Sequence, residues 1–153
     1  MLLTGAFKRS IDDKQRIAIP KRFRDSFGEG DAGSVLVIAP GTDGSLTLYT
    51  EASFTRLANQ LDEVSPTGKD VRAFSRLFFS RAESVDVDRQ GRIRIPKDLV
   101  ELASLKAEAV LIGVRDHMEI WDAKSWQAYV TENEKAYDQL AEKALAAKST
   151  SQE

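Results

Sequence analysis

Short alternations of apolar and polar residues dominate the first half of the chain. Phe7 to Ile11 and Arg16 to Ile19 read as strands, the second with Ile17 and Ile19 on one face and Ala18 between them, and Asp12 to Gln15 supply the turn. Val35-Leu36-Val37-Ile38 is a continuous apolar run of the kind a buried strand shows, and Leu46 to Tyr49 alternates in part. The second half repeats the pattern. Val85 and Val87 alternate with Asp86 and Asp88, Gln90-Gly91 makes the turn, and Ile93 and Ile95 alternate with Arg92 and Arg94. Val110-Leu111-Ile112 is again an apolar run, followed by Met118 to Trp121. Between and after these spans the period lengthens to that of a helix.

Helices are predicted at five places. Pro20 and Pro96 each follow a strand and open a short helix, because a first-turn proline lacks an N–H that would have no partner there; Phe23 and Phe27 in one, and Leu99, Leu102 and Ala103 in the other, are its apolar face. Thr50 and Asp122 stand at N-cap positions before Phe54, Leu57, Ala58 and Leu61 and before Trp126, Tyr129 and Val130. Ser65-Pro66-Thr67-Gly68 reads as a linker, and Val71, Phe74, Leu77 and Phe78 as a connecting helix. A C-terminal helix carries Val130, Tyr137, Leu140 and Ala144 near heptad spacing, interrupted by Asn133, and Lys148 to Glu153 is expected to fray.

The halves match residue by residue. Ile11 to Phe23 aligns without gaps on Val87 to Leu99, with identities at the pairs 12/88, 16/92, 17/93, 19/95, 20/96 and 21/97. The match resumes downstream, Leu46 to Phe54 answering Met118 to Trp126, with four more residues in the first copy, placed in its Pro40-Gly41-Thr42-Asp43-Gly44 turn. The organisation expected is a first repeat over 6–54, a linker and connecting helix over 55–81, a second repeat over 82–126, and a C-terminal helix and tail over 127–153.

Composition narrows the chemistry. The 153 residues include no cysteine and one histidine, His117, so disulfides, thiolate metal sites, thiol nucleophiles and a Ser/His/Asp triad all lack their parts. No nucleophile–base pair or metal constellation survives, so an enzyme is not expected, and neither a cofactor nor a small-molecule substrate is implied. His117, in a turn between apolar strands, is expected to cap or face solvent. The N-terminus reaches Lys8-Arg9 after one short apolar stretch, which suits neither a signal peptide nor a membrane span, and the expected location is the cytoplasm. The net charge of −2 hides an alternation: residues 1–27 carry seven Lys/Arg against three Asp/Glu, and residues 67–99 eight against five, while both intervening segments are acidic. A Debye length of about 8 Å at physiological salt lets such a basic face persist on an acidic protein.

The basic residues gather at the two predicted hairpins. Lys14 and Arg16 flank one turn, and Arg89, Arg92 and Arg94 lie at the other. Two readings are open: solvated arginines on turns capped by Asp12 and Asp88, or a β-ribbon whose arginines reach guanine edges and whose lysines neutralise phosphate in a DNA major groove. Turn formation has no need of arginine at both 16 and 92, and its recurrence favours the second.

The paired segments Asp12 to Pro20 and Asp88 to Pro96, with the Leu-Tyr and Ile-Trp endings at 48–49 and 120–121, resemble the MraZ family of bacterial transcriptional regulators. The resemblance covers residues 1 to about 130. It implies an α+β, mainly β fold: two AbrB-like (SpoVT–AbrB) units forming an intramolecular swapped-hairpin β-barrel with peripheral helices, associating into a ring-shaped homo-oligomer. It also implies a repressor, in the cytoplasm and nucleoid, that binds direct repeats in the double-stranded promoter DNA of the division and cell-wall operon. By position, the family's DNA-contacting loop falls on Lys14 and Arg16, with Arg92 as counterpart. Phe74, Leu77, Phe78 and Phe79 are candidates for subunit contact or for the chain's own core. The competing expectation is an antitoxin or scaffold that grips a protein partner. One departure stands out: Gln15 occupies the place where the pattern expects glycine, which Gly91 keeps, and a positive φ there would strain it.

Overall fold

The computed structural model describes residues 2–26, 35–64 and 67–150. They divide into two compact units, Met1–Ala123 and Lys124–Glu153. In the first, the strands are β1 (Ala6–Ser10), β2 (Arg16–Ala18), β3 (Val35–Pro40), β4 (Leu46–Thr50), β5 (Glu83–Asp86), β6 (Arg92–Arg94), β7 (Glu108–Val114) and β8 (His117–Asp122). Its helices are α1 (Lys21–Asp25), α2 (Glu51–Glu63), α3 (Lys69–Arg81) and α4 (Lys97–Leu102). The second unit holds α5, which begins at Ala123 and ends at Glu134, and α6 (Tyr137–Thr150).

The fold is α+β with a mostly antiparallel sheet. Six strands lie in the order β1-β7-β8-β4-β3-β5, and β2 and β6 form a separate two-stranded ribbon. The order is symmetric about its middle, where β4 meets β8 with Leu46 opposite Ile120 and Leu48 opposite Met118. Each repeat's first strand pairs with the other repeat: β1 with β7, placing Phe7 opposite Leu111, and β5 with β3, placing Val85 opposite Leu36. The ribbon likewise joins the copies, Ile17 facing Ile93. Neither repeat therefore completes its own sheet. Gly113 marks one close approach, since a Cβ there would stand 2.6 Å from the Thr4 backbone nitrogen.

The core draws on matched positions. Ile17, Ile19 and Phe23 from one copy and Ile93, Ile95 and Leu99 from the other are all buried, together with Leu36, Ile38, Leu46, Leu48, Leu111, Met118 and Ile120. Burying an aliphatic side chain of this size contributes roughly 1.5–3 kcal/mol, so the two repeats hold each other folded through shared apolar area. Pro20 and Pro96 precede α1 and α4 with nearly equal backbone angles. Thr50 caps α2, its side chain accepting from the Ser53 N–H at 3.1 Å.

Two expectations need correction. His117 begins β8 rather than lying in the turn, because the two-residue turn Arg115-Asp116 closes the β7–β8 hairpin with Arg115 at φ 66. That turn is shorter than its counterpart Gly41 to Ser45, as the alignment anticipated. The C-terminal helix is two helices: the Asn133 side chain donates to the Tyr129 carbonyl at 2.9 Å, a local bond that competes with the helical ladder, and α6 begins four residues later. Helix α6 runs to Thr150, past the start of the expected frayed tail; residues 151–153, with Phe27, Ser65 and Pro66, lie outside the described residues.

Candidate nucleic-acid interface

The two loops fold by the same local chemistry. In the first, the Gln15 N–H donates to the Asp12 carbonyl at 2.9 Å, and the Asp12 carboxylate accepts from the backbone N–H groups of Lys14 and Arg16 at 2.9 and 2.8 Å. In the second, the Gly91 N–H donates to the Asp88 carbonyl, and the Asp88 carboxylate accepts from the N–H groups of Gln90 and Arg92, all at 2.9 Å. The aspartates that cap the turns also clamp the arginines. Arg16 Nε–H donates to Asp12 Oδ2 at 2.7 Å, and Arg92 Nε–H to Asp88 Oδ2 at 3.1 Å. The two readings of the hairpin are thus not exclusive: the same carboxylate caps the turn and fixes the cation.

Strand pairing brings the loops together. The Ile19 N–H donates to the Gly91 carbonyl at 2.8 Å and the Ile95 N–H to the Gln15 carbonyl at 2.9 Å, so each loop's tip is anchored by the strand leaving the other. A terminal nitrogen of Arg92 lies 3.9 Å from Asp12 Oδ2, a weaker cross-link between the copies. Lys14, Arg89 and Arg94 are exposed, while Arg16 and Arg92 are half-buried. The structure therefore gathers Lys14, Arg16 and Arg92 at one ribbon.

Arg94 belongs with them, which the sequence did not reveal as a pairing. It sits directly opposite Arg16 across the ribbon, and like charges facing each other this way oppose folding. The alternation of Arg92 and Arg94 was visible; the strand opposite was not.

The carboxylates respond to this surrounding. The Arg16 backbone N–H holds the Asp12 carboxyl below its ordinary value of 3.8, and the Arg92 backbone N–H does the same for Asp88. Both stay ionised near neutral pH, and each keeps the Nε edge of its arginine occupied. A guanidinium carries five donors, so each arginine keeps terminal N–H groups beyond its Nε bond, and one terminal nitrogen of Arg92 lies toward Asp12.

The left-handed backbone at the loop tips is real in both copies: φ is 64 at Gln15 and 78 at Gly91. Gly91 is buried beneath the Arg24 guanidinium, whose atoms a Cβ would meet at 2.8 Å. Arg24 is held there by its Nε–H bond to the Ile19 carbonyl at 3.1 Å. The residue matching Arg24 in the second repeat is Val100, a shorter side chain. Glycine is thus favoured at 91 on two grounds, the positive φ and the Arg24 guanidinium above it, whereas at 15 only the positive φ favours it and glutamine is accommodated.

His117 does not gather a metal site. Its Nδ1 is 3.0 Å from Asp116 Oδ1, its ring lies 5.6 Å from that of Tyr49, and among the described residues no group of three His/Cys/Asp/Glu side chains is arranged to hold a metal ion. Burial pushes the Asp116 carboxyl up, but hydrogen bonding to His117 and its charge outweigh this and hold it below the ordinary value. A cavity of about 370 Å³ beside this pair is lined by Tyr49, Ser53, Arg56 and Gln60, among others. Among the described residues no helix is long and apolar enough to cross a membrane.

Fold and site together define an internally duplicated α+β protein whose two repeats jointly present a pair of aspartate-clamped arginine loops. Known proteins resemble the chain in sequence. A family model described as "MraZ protein, putative antitoxin-like" matches residues 2–77 and again residues 78–148. The chain is 38% identical over 142 residues to a transcriptional regulator MraZ of Alkaliphilus oremlandii, covering 93% of this chain and 96% of the relative. It is 42% identical over 128 residues to one from Thermomicrobium roseum, covering 83% and 86% of the two chains. A third, from Lactiplantibacillus plantarum, is 38% identical over 141 residues, or 92% and 96%. The chain belongs to the MraZ family, whose members carry the name of transcriptional regulators and are not enzymes.

Proposed function

We propose that this chain is a sequence-specific DNA-binding transcriptional regulator whose β2–β6 ribbon contacts promoter DNA through Lys14, Arg16 and Arg92. The observation that carries the reading is the convergence of both loops on one cationic ribbon, with Arg16 and Arg94 opposed across it. Asp12 and Asp88 balance Arg16 and Arg92, and the excess positive charge of Lys14 and Arg94 beside them suits an anionic partner. A two-stranded ribbon fits a major groove about 12 Å wide. There the terminal N–H groups of Arg16 and Arg92 meet guanine O6 and N7, and Lys14 meets phosphate. The repeats at 6–54 and 82–126 supply one loop each, 55–81 connects them, and 127–153 follows as the C-terminal segment. Their interleaved strands and the ribbon make up the swapped-hairpin barrel.

Asymmetry of the ribbon supports direct repeats and a ring. The loop tips read Asp13-Lys14-Gln15 in one copy and Arg89-Gln90-Gly91 in the other, and Ala18 stands where the second copy has Arg94. A ribbon with unlike ends has a direction along the duplex, and head-to-tail contacts between copies repeat that direction. The face of α3 suits such a contact: Phe78 is buried within the chain's own aromatic cluster, stacked on Phe54 at 5.9 Å, while Phe74, Leu77 and Phe79 remain exposed. Several ribbons on successive repeats turn modest single contacts into avidity. Occupancy of the promoter of the division and cell-wall operon makes the protein a repressor and places it at the nucleoid, in the cytoplasm.

The test is an electrophoretic mobility shift with the DNA upstream of the protein's own gene. Arg16→Ala abolishes retardation while size and circular dichroism stay those of the wild type; undiminished retardation by that variant refutes the reading. The family description's antitoxin-like wording favours a second reading, in which the same hairpins act in an antitoxin that holds a protein partner. Stoichiometric capture of a small basic protein, with no affinity for DNA, would select it.

A further inference from the structure

We propose that Gln15 is a specificity-determining residue of the first loop, its side-chain amide reading an adenine in the major groove. This rests on the DNA-binding reading given above. Gln15 stands at the loop tip between Lys14 and Arg16, two of the three residues assigned to DNA contact. Its backbone is fixed at both ends of the peptide: the N–H donates to the Asp12 carbonyl and the carbonyl accepts from Ile95, both at 2.9 Å. Its half-buried side chain has no hydrogen bond from any described residue. Beside it the Arg16 Nε–H is paired with Asp12 Oδ2 at 2.7 Å. The fixed backbone sets where the side chain starts, and its amide is left to bond a partner outside the chain.

The backbone gives an independent reason. At φ 64 a side chain opposes the local conformation that glycine adopts freely. The second repeat uses glycine at φ 78, with Arg24 filling the space above it. The first repeat carries a long amide instead, and the residue that matches Arg24 in the second repeat is Val100. Strain retained at a loop tip next to proposed contacts points to use by a ligand. An amide offers one donor and one acceptor side by side, the pattern complementary to adenine N6 and N7. Arginine beside it selects guanine, so the first loop reads a mixed step and the second loop reads without a side chain at the equivalent place.

The experiment is selection of a randomised-core duplex library by the full-length wild type and by Gln15→Gly, with the enriched sequences read by sequencing. Glycine suits the φ of this position, so the variant folds with an undiminished urea midpoint. The expected result is one adenine position in the wild-type motif whose preference falls about tenfold in the variant, while the other positions and the salt dependence are kept. Identical motifs for the two proteins overturn the inference, as does a wild-type motif in which Gln15→Gly alters only non-adenine positions. A wild type that enriches nothing overturns the DNA-binding reading itself and is recognisable as such.

Discussion

Gly91→Ala probes how one repeat's helix is fitted to the other repeat's loop. An alanine at φ 78 costs about 1 kcal/mol relative to glycine from the left-handed backbone alone. Its Cβ would also meet Cζ and Nε of Arg24 at 2.8 Å. The arginine is flexible and moves, but in moving it gives up its bond to the Ile19 carbonyl, worth about 1 kcal/mol. The total is about 2 kcal/mol. In an Arg24→Val background, which gives the first repeat the residue found at 100 in the second, only the backbone part remains and the same substitution costs about 1 kcal/mol. Urea unfolding followed by tryptophan fluorescence, at fixed protomer concentration because assembly shifts apparent stability, measures both legs. A coupling near 1 kcal/mol is expected. Equal costs in the two backgrounds would show that Arg24 and Gly91 do not constrain each other and would refute the cross-repeat fit.

Two further outcomes are expected. The Asp12 and Asp88 carboxyls titrate below their ordinary value when folded, so their stabilisation is complete above that value and is lost as pH falls through the lower folded one. Asp88→Asn keeps an acceptor for the Gln90 and Arg92 N–H groups but has no charge to lose, and its urea midpoint should fall less than the wild type's between about pH 4.5 and 2.5; parallel profiles would contradict the clamp. Leu77 is 54% exposed on α3, so Leu77→Asp should keep the circular dichroism of the folded protomer yet reduce the assembled mass in light scattering, and an unaltered mass would move the subunit contact elsewhere.

The duplicated unit was legible because its strands carry their period locally: Ile17/Ile93 and Ile19/Ile95 alternate, and Pro20/Pro96 mark the helix starts. The choice of partner strands was not legible. Nothing local says that β1 leaves its own repeat to pair with β7, since any antiparallel neighbour satisfies the same alternation. For that reason Arg94 was not seen to face Arg16, and Asp12 was read as a turn cap without its bond to the arginine side chain. The misplacement of His117 has the same root: the tight Arg115-Asp116 turn depends on a left-handed arginine that no glycine or asparagine announces. By contrast the glycine aligned at 91 raises the question of a positive φ at residue 15, and the structure has φ 64 there.

The claim that the ribbon is an anion-binding face for DNA is tested most directly by titrating promoter DNA at several salt concentrations. The affinity of the wild type should fall linearly on a log–log plot, with a slope of about −0.9 for each phosphate neutralised, and Arg16→Ala should bind too weakly at every salt concentration to give a slope. Retention by the wild type that does not depend on salt, or an Arg16→Ala line that coincides with it, would contradict the account.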